Sequence, residues 1–338
     1  MSSDIRNRGN TIFPMTDIFK NTRWIFVNIS ILLMEQIIQL FLMIFMGYLI
    51  VKVGLVKDED SKVLSMVCLY LIMPCVIINS FLIDFTPEKL KGLGLAVGVA
   101  IVIHFVAWIF IKILGKVLNF NPVEKASVMY SNAANMVIPV AMSVLGDEWV
   151  LYSSAFVSVQ LVLLWTHCKS MLSNEKGFEL KKIYTNINLI AIFIGILLFI
   201  TKIHIPSVLQ GTLKSVGGTV APISMIITGM IMAGAELKKV FSNGRIYLVL
   251  FFRMIFFPFI VFLIIYFTGI TNVMDNGAMI LLVTFIATIT PTASSITQMA
   301  QVYGNNEQYA GAINIMTTIA SIMTMPIMVA LYCSFIAV

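Results

Sequence analysis

Apolar residues in this chain gather into runs of about 20, the length a helix needs to cross a hydrocarbon core of roughly 30 Å. No water reaches the backbone in such a core, so a spanning segment must satisfy its own amides and carbonyls, as a helix does. Ten runs can be marked, at 31–53, 62–83, 90–115, 125–146, 149–171, 187–201, 208–234, 246–268, 277–302 and 308–336. The sixth is short, and Pro222 and Pro326 interrupt the seventh and tenth. Of the 338 residues, 59% are apolar and 11% charged, against roughly 25% charged in a soluble domain. An all-α polytopic membrane protein with ten transmembrane helices is expected.

Residues 1–30 are polar and mixed in charge, with Arg6, Arg8, Lys20 and Arg23 against Asp4 and Asp17. They carry no pattern of a cleavable signal and read as a weakly ordered tail ahead of Met34. Cys68, Cys75, Cys168 and Cys333 all fall inside apolar runs without metal-ligand spacing and are expected to pack as small hydrophobes. The 22 methionines read the same way, as flexible fillers of helix interfaces. No metal and no cofactor is expected.

Lys and Arg are retained on the cytoplasmic side of short loops. Thirteen of them, among them Lys57, Lys116, Lys181, Lys182, Lys238 and Arg245, fall on one side of a ten-span chain, while Lys89, Lys91, Lys202 and Lys214 fall on the other with the tail. This orientation puts both termini outside a plasma membrane. The net charge of +6 comes from these loops, which suit an anionic lipid leaflet and give no reason to expect nucleic acid.

Gly47 in the first run and Gly195 in the sixth stand 148 residues apart, as do Pro74 in the second and Pro222 in the seventh; Pro139 and Pro291, in the fourth and ninth, stand 152 apart. This suggests two five-helix units, 31–172 and 187–338, joined by a cytoplasmic loop at 173–186. Five is odd, so the second unit enters the membrane from the opposite face, giving inverted repeats of the kind carriers use.

The fourth run holds Tyr130, Ser131, Asn132 and Asn135 before Ile138 and Pro139; the ninth holds Thr288 and Thr290 before Pro291, then Thr292, Ser294 and Ser295. A helical proline removes a donor and clashes with the carbonyl four residues back, so both helices are expected to break at mid-membrane. The breaks would free backbone groups toward a polar site, with amides at the start of each second half-helix suited to a carboxylate. Asn132 and Asn135 share a helix face. The expected substrate site is therefore Asn132, Asn135, Ile138, Pro139, Pro291, Thr292, Ser294 and Ser295, joined by Asn79 of the second run.

These stretches carry a resemblance. Gly47-Tyr48-Leu49, Leu71-Ile72-Met73-Pro74, Asn132 seven residues before Pro139, Trp165-Thr166, Pro291-Thr292-Ala293-Ser294 followed by Tyr303-Gly304, and Pro326 occur in an order and spacing similar to the auxin efflux carrier family, in its bacterial form, across about residues 34–336. The family is related to the plant PIN exporters and, more distantly, to the bile acid:sodium symporters. The resemblance implies that helices 4 and 9 cross at their breaks, that spans 1, 2, 6 and 7 form a scaffold, and that spans 3–5 and 8–10 move as an elevator carrying a small organic acid out of the cell. A homodimer is a further expectation. Ala134 and Val137 stand where many relatives have glycine, which bears on the substrate more than on the fold.

Ionisable residues inside a membrane are functional candidates by default. His104 and His167 are candidates for proton coupling. Arg253 either snorkels to the cytoplasmic surface or compensates the charge of an anion in transit. The alternative to a carrier is a gated channel or a membrane-embedded ligand sensor, against which stand the lack of a filter sequence and of a signalling domain. An enzyme is not expected: the ionisable residues form no nucleophile-and-base pair and no cluster.

Overall fold

The computed structural model describes residues 22–82, 87–133, 136–137, 149–173 and 186–336. Its principal helices are α1 (Thr22–Lys52), α2 (Asp58–Phe81), α3 (Pro87–Val117), α4 (Pro122–Met129), α5 (Val150–Ser173), α6 (Ile187–Thr201), α7 (Ser207–Ala233), α8 (Gly244–Thr268), α9 (Gly277–Ile289), α10 (Ser294–Val302) and α11 (Glu307–Phe335). No strand occurs among the described residues. Seven helices, α1, α2, α3, α5, α7, α8 and α11, are long and apolar enough to cross a membrane, and α6 and α9 are shorter apolar helices. Of the expected fourth span only the ends of the first stretch are described, α4 and the residues up to Ala133 with Met136 and Val137. Helix α1 begins at Thr22, so the segment Thr22–Ser30, expected as loose tail, is helical.

The distribution of side chains fits lipid as the solvent. Large apolar residues such as Phe45, Phe105, Phe193, Ile200 and Phe267 face outward, while Ser131, Asn132, Thr284, Thr288, Thr292 and Gln298 are buried. Most polar groups placed inside have partners there that a hydrocarbon surface does not offer.

Two prolines sit in helices without ending them, each for the same reason. Pro74 follows a π-helical turn at Cys68–Ile72, and Pro258 follows another at Phe252–Phe256. The carbonyl four residues before each proline, which its ring would strike, lies within the widened turn, where the missing amide is also absorbed. Pro222 lies in the first turn after a break in α7 at Gly218–Thr219, where an amide has no intrahelical partner in any case. Pro326 lies inside α11 without interrupting it.

Glycines set the closest helix crossings. A Cβ on Gly47 of α1 would collide with the backbone of Ile226 in α7, and one on Gly229 of α7 with the backbone of Ile44 in α1. A Cβ on Gly195 of α6 would strike the Phe81 ring of α2. Elsewhere, Asn121, Asn243 and Asn306 cap the starts of α4, α8 and α11. These three helix starts are tied by the buried Glu124, which accepts from Arg245 Nε and Nη2 at 2.6 Å each, from Tyr309 Oη at 2.8 Å and from its own cap's amide at 2.7 Å.

Candidate functional site

Helix α4 stops at Met129, and Tyr130 turns extended, with φ −101° and ψ 128°. Helix α9 stops at Ile289, and the chain runs extended until α10 begins at Ser294. The two extended segments pair with each other. Ser131 and Thr292 form an antiparallel bridge, Asn132 N donating to Pro291 O at 2.8 Å and Ala293 N to Tyr130 O at 3.1 Å. Two broken helices thus cross by satisfying one another's backbone, the solution a dry interior requires.

Side chains from three further helices complete the satisfaction. Gln160 of α5 accepts from Ser131 N (3.0 Å) and Ser131 Oγ (2.6 Å) and donates to Ser131 O (2.8 Å). On the other segment, Thr292 N donates to Thr317 Oγ1 at 3.2 Å and Asn314 Nδ2 donates to Thr292 O at 2.8 Å, both partners on α11. From α8, Arg253 donates to Val128 O (3.1 Å), Thr288 O (2.9 Å) and Thr290 O (2.7 Å). Those are carbonyls at the ends of α4 and α9, where each half-helix carries its negative pole.

The expected site residues separate accordingly. Asn132, Pro291, Thr292, Ser294 and Ser295 come together at the crossing, all buried. Asn135, Ile138 and Pro139 lie outside the described residues. Asn79 is half-buried near the end of α2, and no hydrogen bond among the described residues joins it to the crossing.

Three expectations are corrected. A break in the fourth span falls at Tyr130–Asn132, outside the reach of Pro139, whose steric effect extends to the preceding residue and the carbonyl four back; Pro139 itself lies outside the described residues. The backbone groups of the extended segments and of the ends of α4 and α9 are bonded to each other and to Gln160, Asn314, Thr317 and Arg253 rather than left open. The Thr292 hydroxyl, expected to face a ligand, donates to Ser127 O at 2.9 Å.

Arg253 does not snorkel. It is 1% exposed, carried on the π-helical turn before Pro258 and held inside by the three carbonyls. His104 bonds the carbonyl of Ala100 in its own helix at 2.7 Å, packs on Phe156 and lies beside Gln160, next to the crossing's hydrogen bonds. His167 is half-buried and meets Tyr130 Oη at 2.9 Å, one residue from the bridge.

Gln160, Asn314 and Thr317 escaped the sequence reading, and Gln298, in the polar stretch of the ninth run, was not placed in the site. The first three were not tied to either expected break, and the available signal was an uncharged amide or hydroxyl deep in an apolar run. Gln298 lies in the second turn of α10, fully buried beside the Cys68 thiol of α2, and neither its oxygen nor its nitrogen reaches a nitrogen or oxygen partner among the described residues. The hydroxyls of Thr297 and Ser127 are in the same condition. Side chains lean toward the start of their helix, which for Gln298 is the break.

No curated protein matches the chain. A family model described as membrane transport protein matches it twice, over residues 32–180 and 176–329. The two matches cover the crossed breaks and nearly all the described helices, and the chain belongs to this family of membrane transport proteins, the auxin efflux carrier or PIN-like family.

Proposed function

We propose that the protein is a secondary carrier that exports small organic anions across the plasma membrane by an elevator-type alternation. The observation that carries this reading is the crossing itself. A β-bridge holds two helix breaks together in the interior, α10 starts beside it with Ser294 and Ser295, and the buried amide of Gln298 one turn further has no nitrogen or oxygen partner among the described residues. An unsatisfied buried amide costs about 1–3 kcal/mol, and a polar ligand at the break would recover that cost. Amides at the start of α10 suit a carboxylate.

The glycine crossings support two inverted repeats. Gly47 of the first helix in one half meets the second helix of the other, and Gly195 does the same in return. In this reading α1, α2, α6 and α7 are the scaffold. The remaining helices, stitched by Gln160, Arg253 and the Glu124–Arg245 pair, form the moving body. Ser61 and Ser65 bonding Gln301, and Tyr70 bonding Tyr303, are ties across the boundary that motion must exchange. Both termini lie outside, and sodium is not required, since 126–145 and 276–304 contain no Asp or Glu.

The test is flux in proteoliposomes, using labelled mono- and dicarboxylic acids. Saturable uptake that is stimulated by unlabelled acid on the opposite side supports a carrier; single-channel currents, or flux that never saturates, would replace it with a pore.

A further inference from the structure

Arg253 carries a full positive charge into the interior, and no carboxylate pairs with it among the described residues. Its partners are carbonyls at the ends of two half-helices. Each such end carries about −0.5 of a charge, and the starts of α10 and of the helical segment that opens at Ala133 about +0.5 each, so the helix ends leave the crossing near neutral. That balance gives an anion no net attraction. With the guanidinium included it becomes about +1, which a single negative charge neutralises, whereas a dianion reverses it to about −1. In a site dried by protein and lipid, such differences are weakly screened. Building on the carrier reading, we propose that Arg253 is the residue that gives the crossing its preference for monoanions, acting through the carbonyls it holds and not by touching the ligand. The planar fork suits this position, because one guanidinium spans carbonyls from both breaks, which an ammonium does less well.

The probe set is acetate, benzoate and indole-3-acetate, the corresponding amides, and malonate, titrated into the purified full chain in detergent at constant ionic strength and read by thermal shift. Wild type should bind monocarboxylates more tightly than the amides or malonate. Arg253→Gln should lose that preference by about tenfold or more, while Arg253→Lys keeps it at neutral pH despite unfolding at lower temperature. A role in packing alone would lower stability in both variants and leave the acid-to-amide ratio unchanged. The same ratio in wild type and Arg253→Gln, including no preference in either, overturns the inference. If Arg253→Gln does not fold, Arg253→Lys decides: raising the pH should abolish its preference and leave that of wild type, and parallel behaviour of the two overturns the idea. Failure of the carrier reading appears separately, in liposome flux.

Discussion

Gln160 and Ser131 are joined by three hydrogen bonds, one side-chain amide engaging both the backbone N–H and the backbone C=O of the bridging residue. Gln160 therefore does for Ser131 what a third strand would do in a sheet, at the one place where helix α4 has given up its own ladder. Replacing it with leucine leaves both backbone groups buried without partners. The expected loss is on the order of 3 kcal/mol, seen as a lower unfolding temperature in detergent and faster hydrogen exchange at the Asn132 amide. Thr166→Ala, which removes an exposed hydroxyl bonded to its own helix, should stay within about 0.5 kcal/mol of wild type. Equal stability of Gln160→Leu and Thr166→Ala would mean that the bridge holds without the amide.

Much of this fold was legible because lipid leaves a strong mark on sequence. The run at 187–201 coincides with α6, and most other runs end within a few residues of a helix end. Pro291 correctly marked the ninth-span break. The fourth-span break at Tyr130–Asn132 was not foreseen because nothing there forbids a helix locally; the extended turn is stabilised by Thr292, 161 positions from Ser131, and by Gln160. Long-range pairing leaves no periodicity to read. Arg253 was visible as an oddity, but its destination depended on the three carbonyls that hold it and on the π-helical turn before Pro258, neither of which was connected with it.

The α1–α7 crossing predicts a sharp contrast among glycines. Gly229→Ala puts a methyl into the backbone of α1 and Gly47→Ala does the same to α7, so each should cost about 1–3 kcal/mol or force the helices apart. Gly98→Ala, on an open face of α3 with nothing within 4 Å, should be neutral or slightly stabilising. Size-exclusion profiles and unfolding temperatures of the three variants provide the check. If all three behave alike, the two helices are not in backbone contact.

Orientation can be read with single cysteines in a background lacking the native four. Leu55 and Val117 are well exposed on the basic side of the chain, and Val208 and Val273 on the other. An impermeant maleimide applied to intact cells should label Val208→Cys and Val273→Cys, and should reach Leu55→Cys and Val117→Cys only after the membrane is opened. The opposite pattern would place both termini in the cytoplasm.

Gln298 offers the most discriminating substitution, because its two possible roles predict opposite signs. Methionine has a similar length and no amide, so Gln298→Met removes one polar group and little volume. If the amide is held in reserve for a ligand, the resting protein carries an unsatisfied donor and acceptor, and removing them should leave stability unchanged or raise it by about 1 kcal/mol. Transport should then fall, with the loss concentrated in apparent affinity, since the ligand no longer finds its partner. If the amide instead anchors structure, through a bound water for example, the same substitution should destabilise the fold by a similar amount, and any transport that remains should keep its affinity. Unfolding temperature and the concentration dependence of liposome uptake, measured on one preparation, separate the cases. A less stable variant with unaltered affinity would remove Gln298 from the site and leave Ser294 and Ser295 as its polar wall on the α10 side.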